Sequence, residues 1–479
     1  MSSQIRKLFG LIVVLFALLV VFTTRWTVLD ATALDNNPLN ARSLIQSLQI
    51  QRGRILSDDG QVLARSVRLP GGFWGRSYPM GPLFAQAVGY DNLALGSAAG
   101  LERYRAPYLL GTVNGGLQSI FGPFTGAPQV GDDVQTTLDV HAQEVARAEL
   151  AGRAGSVVAL DPRTGAVLVM YSNPSYDDND PRVTRACQAV ACQLDRATQG
   201  QYPPGSTFKI VTTTAAINSG LYTPRSIING NSPLLVSGVP LHNDGNQSWG
   251  NITLTTALTY SVNTVYAQVA ERVGRPLLTA YMRRFGFYSK PPIDLPSGEV
   301  SVSRPFDPQG RPYPPASPNE DIGRIGIGEG GLEVTPLQMA MVAAAVANHG
   351  TLMVPHLTAR IIGPDGQTVR TFPPTVYSHV MSPTTAAEIT QMMRTVVDEG
   401  TGTPAALGSG IAFAGKTGTA SIGPPGLNET QPWFIGFAPA QDPKVAVAVT
   451  VERTVGGFGG QVAGPIASAV VRALLAEGR

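Results

Sequence analysis

The hydrophobic pattern divides the chain before any motif is considered. Leu8 to Phe22 is a continuous apolar run, with Arg6 and Lys7 ahead of it and Thr23, Thr24, Arg25 and Trp26 behind. Counted through Thr24, it reaches the lower limit for a helix that crosses a bilayer. A cleaved signal peptide has the same basic flank and apolar stretch. No small-x-small cleavage signal follows the run, and Trp26 suits the membrane interface, so the sequence favours an uncleaved anchor over a leader. The basic flank predicts a cytoplasmic N-terminus and a single pass, with everything after Arg25 outside the cell membrane.

Residues 29–133 mix short strand-like runs with Gly and Pro and offer no catalytic constellation. From Val134 to Leu138 the pattern is strand-like, and His141 to Arg153 is rich in helix formers. Ser156–Leu160 and Ala166–Tyr171 are apolar, β-branched runs joined by Asp161-Pro-Arg-Thr-Gly165, which predicts a hairpin. A second hairpin is predicted over Trp433–Ala438 and Lys444–Glu452. Pro465–Glu477 is predicted to close the chain as an apolar-faced helix with proline in its first turn. Between the hairpins, helical patterns cover Ser206–Asn218, Thr253–Val273 (one helix or a pair), Pro336–Asn348 and Pro383–Glu399. Strands at both ends with helices between them predict an α+β domain, one antiparallel sheet beside a helical subdomain. The division is therefore 1–28 for cytoplasmic tip and anchor, 29–133 for a non-catalytic domain, and 134–479 for the domain carrying the chemistry.

Composition narrows the function. The chain has 479 residues, 43% apolar and only 14% charged, with 53 Gly and 38 Pro. Such length supports two domains plus an anchor. A net charge of +2 and the absence of a Lys/Arg-rich run give no case for nucleic acid. The five histidines have no metal-ligand spacing, so no metal and no cofactor is expected. Cys187 and Cys192 are the only cysteines. Outside the membrane they are candidates for a disulfide closing a short loop, worth about 2 kcal/mol, with two free thiols as the alternative.

Three short motifs carry chemistry. Tyr202-Pro-Pro-Gly-Ser206-Thr-Phe-Lys209 opens a helix after a Pro/Gly bend. Ser206 then sits where free N–H groups and the positive helix end can stabilise an oxyanion, with Lys209 on the same face. A serine hydroxyl needs its proton removed, and a lysine with a depressed pKa can do that. The plain alternative is a capping serine with a solvated lysine. Ser261-Val-Asn263 is polar inside an apolar run, and is either a helix break or part of a cleft. Lys416-Thr417-Gly418-Thr419 is the third. It also completes a formal P-loop from Gly410 to Thr417, but Ser421-Ile-Gly-Pro-Pro425-Gly426 cannot start the helix such a loop requires.

In order and context, S-x-x-K, S-x-N and K-T-G resemble the penicillin-binding protein and serine β-lactamase superfamily. Asn173-Pro-Ser-Tyr176, Arg196-Ala-Thr-Gln-Gly200, Ile327-Gly328, Thr335-Pro-Leu-Gln338, Gly402 and Trp433-Phe-Ile-Gly436 are similar to class B penicillin-binding proteins. Arg52-Gly-Arg-Ile55 and Gly100-Leu-Glu102 look like that class's pedestal motifs. The likeness is greatest to the monofunctional, septum-associated type of actinobacteria.

The resemblance implies a peptidoglycan D,D-transpeptidase in cell-wall synthesis, inhibited covalently by β-lactams. Ser206 would form the acyl-enzyme and Lys209 take its proton. Ser261 would relay a proton to the leaving amine, and Asn263 would bind substrate backbone. Lys416 would supply positive potential from a partly solvated cleft position, with Thr417 and Thr419 on the terminal carboxylate. Gly418 would permit close approach, and the Ser206 and Thr419 N–H groups would form the oxyanion hole. Implied partners are stem peptides, lipid-linked precursors, a glycan polymerase and division proteins. A D,D-carboxypeptidase and a non-catalytic division scaffold are the alternatives. A class A β-lactamase needs a deacylating E-x-x-x-N segment that is missing. A bifunctional synthase needs a glycosyltransferase domain that 29–133 cannot hold, and a β-lactam sensor needs several membrane spans.

Overall fold

The computed structural model describes residues 3–26, 48–92, 96–113, 130–180, 182, 185–408, 410–423 and 427–478. The expected start of the pedestal near residue 29 and the segment around Pro425 and Gly426 lie outside them. Ser3–Thr24 is a 22-residue helix with no buried residue, long and apolar enough to cross a membrane.

The strongest β-formers make the central sheet. Its antiparallel order is Ala414–Ile422, Glu429–Ala438, Val445–Val451, Gly155–Leu160, Val167–Asn173, with Thr454–Val455 paired to Glu429–Ala438. Both predicted hairpins are present, in the register Val157↔Tyr171 and Phe437↔Ala446. Every residue of Val445–Val451 is buried, as a strand covered on both faces must be. Val140–Leu150 and Gly459–Ala476 pack on one face and Pro336–Ala347 on the other. Pro336–Ala347 is strongly apolar and wholly buried, the signature of a core helix. Asp139, Thr335 and Ser382 cap their helices by accepting the N–H three residues on.

One expectation on element bounds changes, and one stated alternative is decided. The last helix begins at Gly459, so Pro465 lies inside it. Packing decides this start: a Cβ on Gly459 would stand 2.2 Å from the Gly418 carbonyl, and one on Gly460 2.2 Å from that of Thr401. Glycines carry the helix into that contact, and proline loses one hydrogen bond within it. Thr253–Val273 resolves into two helices, Leu254–Thr259 and Asn263–Val273, broken at Ser261. Together with Lys209–Asn218, Arg275–Arg284 and Pro383–Asp398 they form the helical subdomain.

A second, mixed sheet has the order Thr368–Thr371, Thr358–Ile362, Asp133–Thr136, Ile55–Leu56, Val62–Arg68, Trp74–Ser77. It joins strands at 55–77 to strands at 133–136 and 358–371, so the pedestal and the catalytic part share backbone hydrogen bonds. The pedestal motifs meet in one buried ionic cluster. Glu102, fully buried, receives Arg52 at 2.9 Å and Arg76 at 2.6 Å, and Arg52 also reaches Asp91 at 2.9 Å. Next to it, Gly100 N–H donates to Glu299 at 2.9 Å, and Arg105 pairs with Asp294 at 3.1 Å. These contacts fasten the pedestal to the catalytic part. The structure joins Cys187 to Cys192 as a disulfide with Cα atoms 5.0 Å apart.

Removing the shared carboxylate would strip the buried Arg76 guanidinium of the carboxylate it pairs with and leave Arg52 with Asp91. Glu102→Ala is therefore expected to lower unfolding stability by about 3–5 kcal/mol. Denaturant titration of the purified full chain in detergent measures this, and an unchanged midpoint would contradict it.

Candidate active site

The S-x-x-K segment starts in a tighter helix than its pattern predicts. Gly205–Phe208 is a single 3₁₀ turn that continues as the α-helix Lys209–Asn218. Side chains three apart eclipse in a 3₁₀ turn, so Ser206 and Lys209 line up along the helix. Gly205 enters at φ 51°, and its N–H donates to Gly328 O at 3.0 Å. A Cβ there would come within 3.2 Å of the Thr419–Ala420 peptide, so glycine lets the strand close on the nucleophile. The bend before it is held by the Trp433 indole N–H, 3.0 Å from Pro203 O.

Lys416–Thr419 lies on Ala414–Ile422, an edge strand of the central sheet. A strand here removes the P-loop reading, which requires a helix. Thr419 pairs with Pro432, whose carbonyl accepts from Thr450 Oγ1 on the opposite neighbouring strand. Pro432 thus directs its backbone groups away from Thr419. The pair is non-hydrogen-bonded, and the Thr419 N–H and C=O point off the sheet edge. The same alternation turns Thr417 backbone outward, and Lys416 Nζ donates to its carbonyl at 2.8 Å.

The three motifs converge on one hydroxyl. Lys209 Nζ lies 2.7 Å from Ser261 O, 2.7 Å from Asn263 Oδ1 and 3.2 Å from Ser261 Oγ. Lys416 Nζ lies 3.0 Å from the same Ser261 Oγ. Ser261 adopts φ 62°, a left-handed backbone uncommon for serine, at the break between its two helices. That conformation presents carbonyl and hydroxyl together to Lys209. Asn263 Nδ2 donates to His242 O at 3.1 Å, which orients the amide with its oxygen toward the lysine. Tyr266 places its ring 5.4 Å from Lys209 Nζ.

Both amines are fully buried, which corrects the expectation of a partly solvated Lys416. The sheet edge is roofed by the Ser206 turn, and Gly418 packs directly beneath Pro204 O. Burial pushes Lys209 well below the ordinary lysine range, and the neighbouring Lys416 adds to the effect. Burial alone brings Lys416 down to about 7. Neutral Lys209 has two N–H groups, matched by its two 2.7 Å acceptors, and one lone pair left for a hydroxyl. A cationic Lys416 then donates to Ser261 Oγ. The result is a continuous path, Lys416 to Ser261 to Lys209.

Thr417 is 6% exposed, with its hydroxyl 2.6 Å from that of Thr401. Thr419 Oγ1 accepts the Gly459 N–H at 3.0 Å and keeps its own proton to donate. Several participants were invisible in sequence. Thr401 and His242 act through contacts distant in the chain, and no local pattern marks them. Glu329 adjoins the noted Ile327-Gly328 pair, but only the Gly328–Gly205 contact brings it to the nucleophile. Among the described residues, no group of His, Cys, Asp and Glu could hold a metal ion.

Comparison with known proteins agrees with this geometry. The penicillin binding protein transpeptidase domain family matches residues 155–472, and the penicillin binding protein A dimerisation domain family matches 52–134. Peptidoglycan D,D-transpeptidase PbpA of Mycolicibacterium smegmatis is 36% identical, with 100% of both chains covered. Its namesake from Mycobacterium tuberculosis is 34% identical over 99% of both. The structure of penicillin-binding protein A from M. tuberculosis as a ceftriaxone acyl-enzyme superposes with a TM-score of 0.79 at 32% identity, covering 90% of this chain and 100% of that one. The D,D-transpeptidase domain of a peptidoglycan glycosyltransferase from Eggerthella lenta gives 0.76 at 33% identity, covering 90% and 99%. The transpeptidase family match over residues 155–472 and these whole-length likenesses, on a chain whose S-x-x-K, S-x-N and K-T-G residues gather beside one edge strand, place it in the penicillin-binding protein transpeptidase family, among the class B penicillin-binding proteins.

Proposed function

We propose that this protein is a peptidoglycan D,D-transpeptidase that cross-links stem peptides through a Ser206 acyl-enzyme and is inhibited covalently by β-lactams. The observation that carries the reading is the buried lysine pair on one serine hydroxyl. One amine is poised as a base, and the other as a cation.

In this mechanism Ser206 Oγ attacks the penultimate D-Ala carbonyl while Lys209 takes its proton. The N–H groups of Ser206 and Thr419 stabilise the oxyanion, the first from the helix start and the second from the strand edge. Ser261 passes a proton to the departing D-Ala amine, resupplied along the lysine path. Asn263 holds the substrate backbone. Thr419 contacts the terminal carboxylate directly. Lys416 supplies the field, and Thr417 holds its ammonium in place. The extended donor adds to the sheet edge along Gly418 and Thr419, pairing with the outward backbone groups of Thr419. Residues 29–133 serve as a pedestal that binds partners, a glycan polymerase and division proteins among them. The N-terminal helix makes a single pass with its start in the cytoplasm, holding the site near lipid-linked precursors.

Penicillin should label each chain once, at Ser206, in a long-lived adduct, because the ring-opened amine stays tethered and blocks the acceptor's approach. Mass spectrometry of the full chain after labelling identifies the residue. Ser206→Ala should abolish the adduct without changing thermal stability, and labelling that survives the change would refute the assignment.

Acylation should peak over a narrow pH range. Lys209 must be neutral, so the rate falls on the acid side. Lys416 must be cationic, so kcat/KM falls as pH rises through about 7. A bound carboxylate stabilises the ammonium, so the alkaline limb in kcat should lie higher than that in kcat/KM. The two limbs belong to the coupled pair. Lys416→Ala should cost about 2–4 kcal/mol in acylation and remove the alkaline limb. Stopped-flow acylation across pH measures both, and a flat profile would contradict the lysine assignments.

The same burial sets a stability trend. A lysine whose folded pKa lies below its unfolded value destabilises the fold fully at pH below the folded pKa, and less as pH rises toward the unfolded one. Lys416→Met should therefore raise Tm at pH values below about 7, with the gain shrinking toward the model-compound value of 10.5.

A further inference from the structure

Transpeptidation needs a second substrate, and the residues described so far all serve the donor. The acceptor is an amine. At neutral pH a primary amine is a cation, which can neither attack a carbonyl nor be drawn to a site whose charge is positive. A carboxylate at the mouth would answer both needs.

Glu329 is such a group. It follows Gly328, whose carbonyl holds the Gly205 N–H one residue before Ser206, and Gly328 has no room for a Cβ, which would sit 1.9 Å from Gly205 O. Glu329 is thereby fixed beside the nucleophile by backbone contacts. Its side chain is 41% exposed, unlike the sealed lysines, so it is open to an amine arriving from solvent. Its carboxylate stands 3.8 Å from Arg324, and its N–H donates to Arg324 O. The groups acting on it are Arg324, Lys209 and Asp321, and it is the carboxylate whose charge is felt by Lys209. Burial raises its pKa, and Arg324 and Lys209 draw it back.

We propose that Glu329 recruits the acceptor as a cationic primary amine and takes the proton that makes it nucleophilic. This rests on the transpeptidase reading and adds its second substrate. The ammonium gives one proton to the Glu329 carboxylate, and its nitrogen then bonds to the acyl carbon. As the C–O bond to Ser206 breaks, the second nitrogen proton passes by way of Lys209 to Ser206 Oγ. The products are an amide, a free serine and a neutral Glu329, which returns its proton to water. Water as acceptor carries no charge, so recruitment favours the amine.

The test uses the full chain in detergent, a thioester analogue of the D-Ala-D-Ala donor, and D-alanine or glycine as amine acceptor. The ratio of aminolysis to hydrolysis is read from one common acyl-enzyme, so any effect on acylation divides out. Glu329→Gln should lower this ratio roughly 10²-fold at pH 7, the scale of one acid–base group. The deficit should shrink as pH rises and the amine deprotonates unaided, and Glu329→Asp should recover part of it. A ratio equal in parent and Glu329→Gln, a deficit independent of pH, or a parent that acylates but transfers only to water would each overturn the proposal. A parent that neither labels with penicillin nor turns over the thioester would instead overturn the transpeptidase reading itself.

Discussion

Two fully buried lysine amines share one serine hydroxyl, and the surrounding structure is arranged to make that tolerable. Burying one ammonium is costly, and burying two side by side more so. The protein meets this cost by holding both amines below the ordinary lysine range, Lys209 well below it, so that the pair gives up charge more readily than free lysines do. Lys209 finds two acceptors for its two N–H groups, in Ser261 O and Asn263 Oδ1. Lys416 finds the Thr417 carbonyl and Ser261 Oγ. Each partner is itself held: Asn263 by His242, Thr417 by Thr401, Ser261 by a left-handed break between helices. Desolvation, usually a liability, is here what draws both amines below the ordinary lysine range.

Keeping water out requires close backbone contact, and glycines provide it. Gly205 lets the nucleophile turn meet the strand, Gly418 lets the strand pass under Pro204, and Gly459 lets the last helix reach Thr419. The pedestal contributes through the buried Glu102 cluster and the shared second sheet, which fix it to the catalytic part. An ionic cluster of this kind is weak in net stability but expensive to break, a property suited to holding one arrangement.

Sequence patterns located the parts better than their assembly. The strands of the central sheet are apolar, β-branched runs whose period and turns are local, so both hairpins were legible. The three motifs were legible because each carries its chemistry within four residues. The start of the last helix was not, because the glycines that carry it are chosen by contacts with Gly418 and Thr401 far away in sequence. Membership of Thr358–Ile362 in the pedestal's sheet was hidden for the same reason. The burial of Lys416 escaped too: a lysine on a strand near a cleft gives no hint that a Pro-Gly turn will roof it. The sequence held the ingredients of Ser261's conformation, yet a positive φ at serine is imposed by packing and follows from no propensity.

The lysine pair can be observed directly, because the chain contains only five lysines, Lys7, Lys209, Lys290, Lys416 and Lys444. Labelling them with ¹³C at Cε and following the shifts with pH in the full chain would resolve each titration. Lys209 should titrate well below the ordinary lysine range, Lys416 should titrate near 7, and Lys416→Met should raise the Lys209 pKa by removing the neighbouring cation. If both residues instead titrate near the ordinary 10.5 and ignore each other, the dehydrated pair does not exist and the account fails with it.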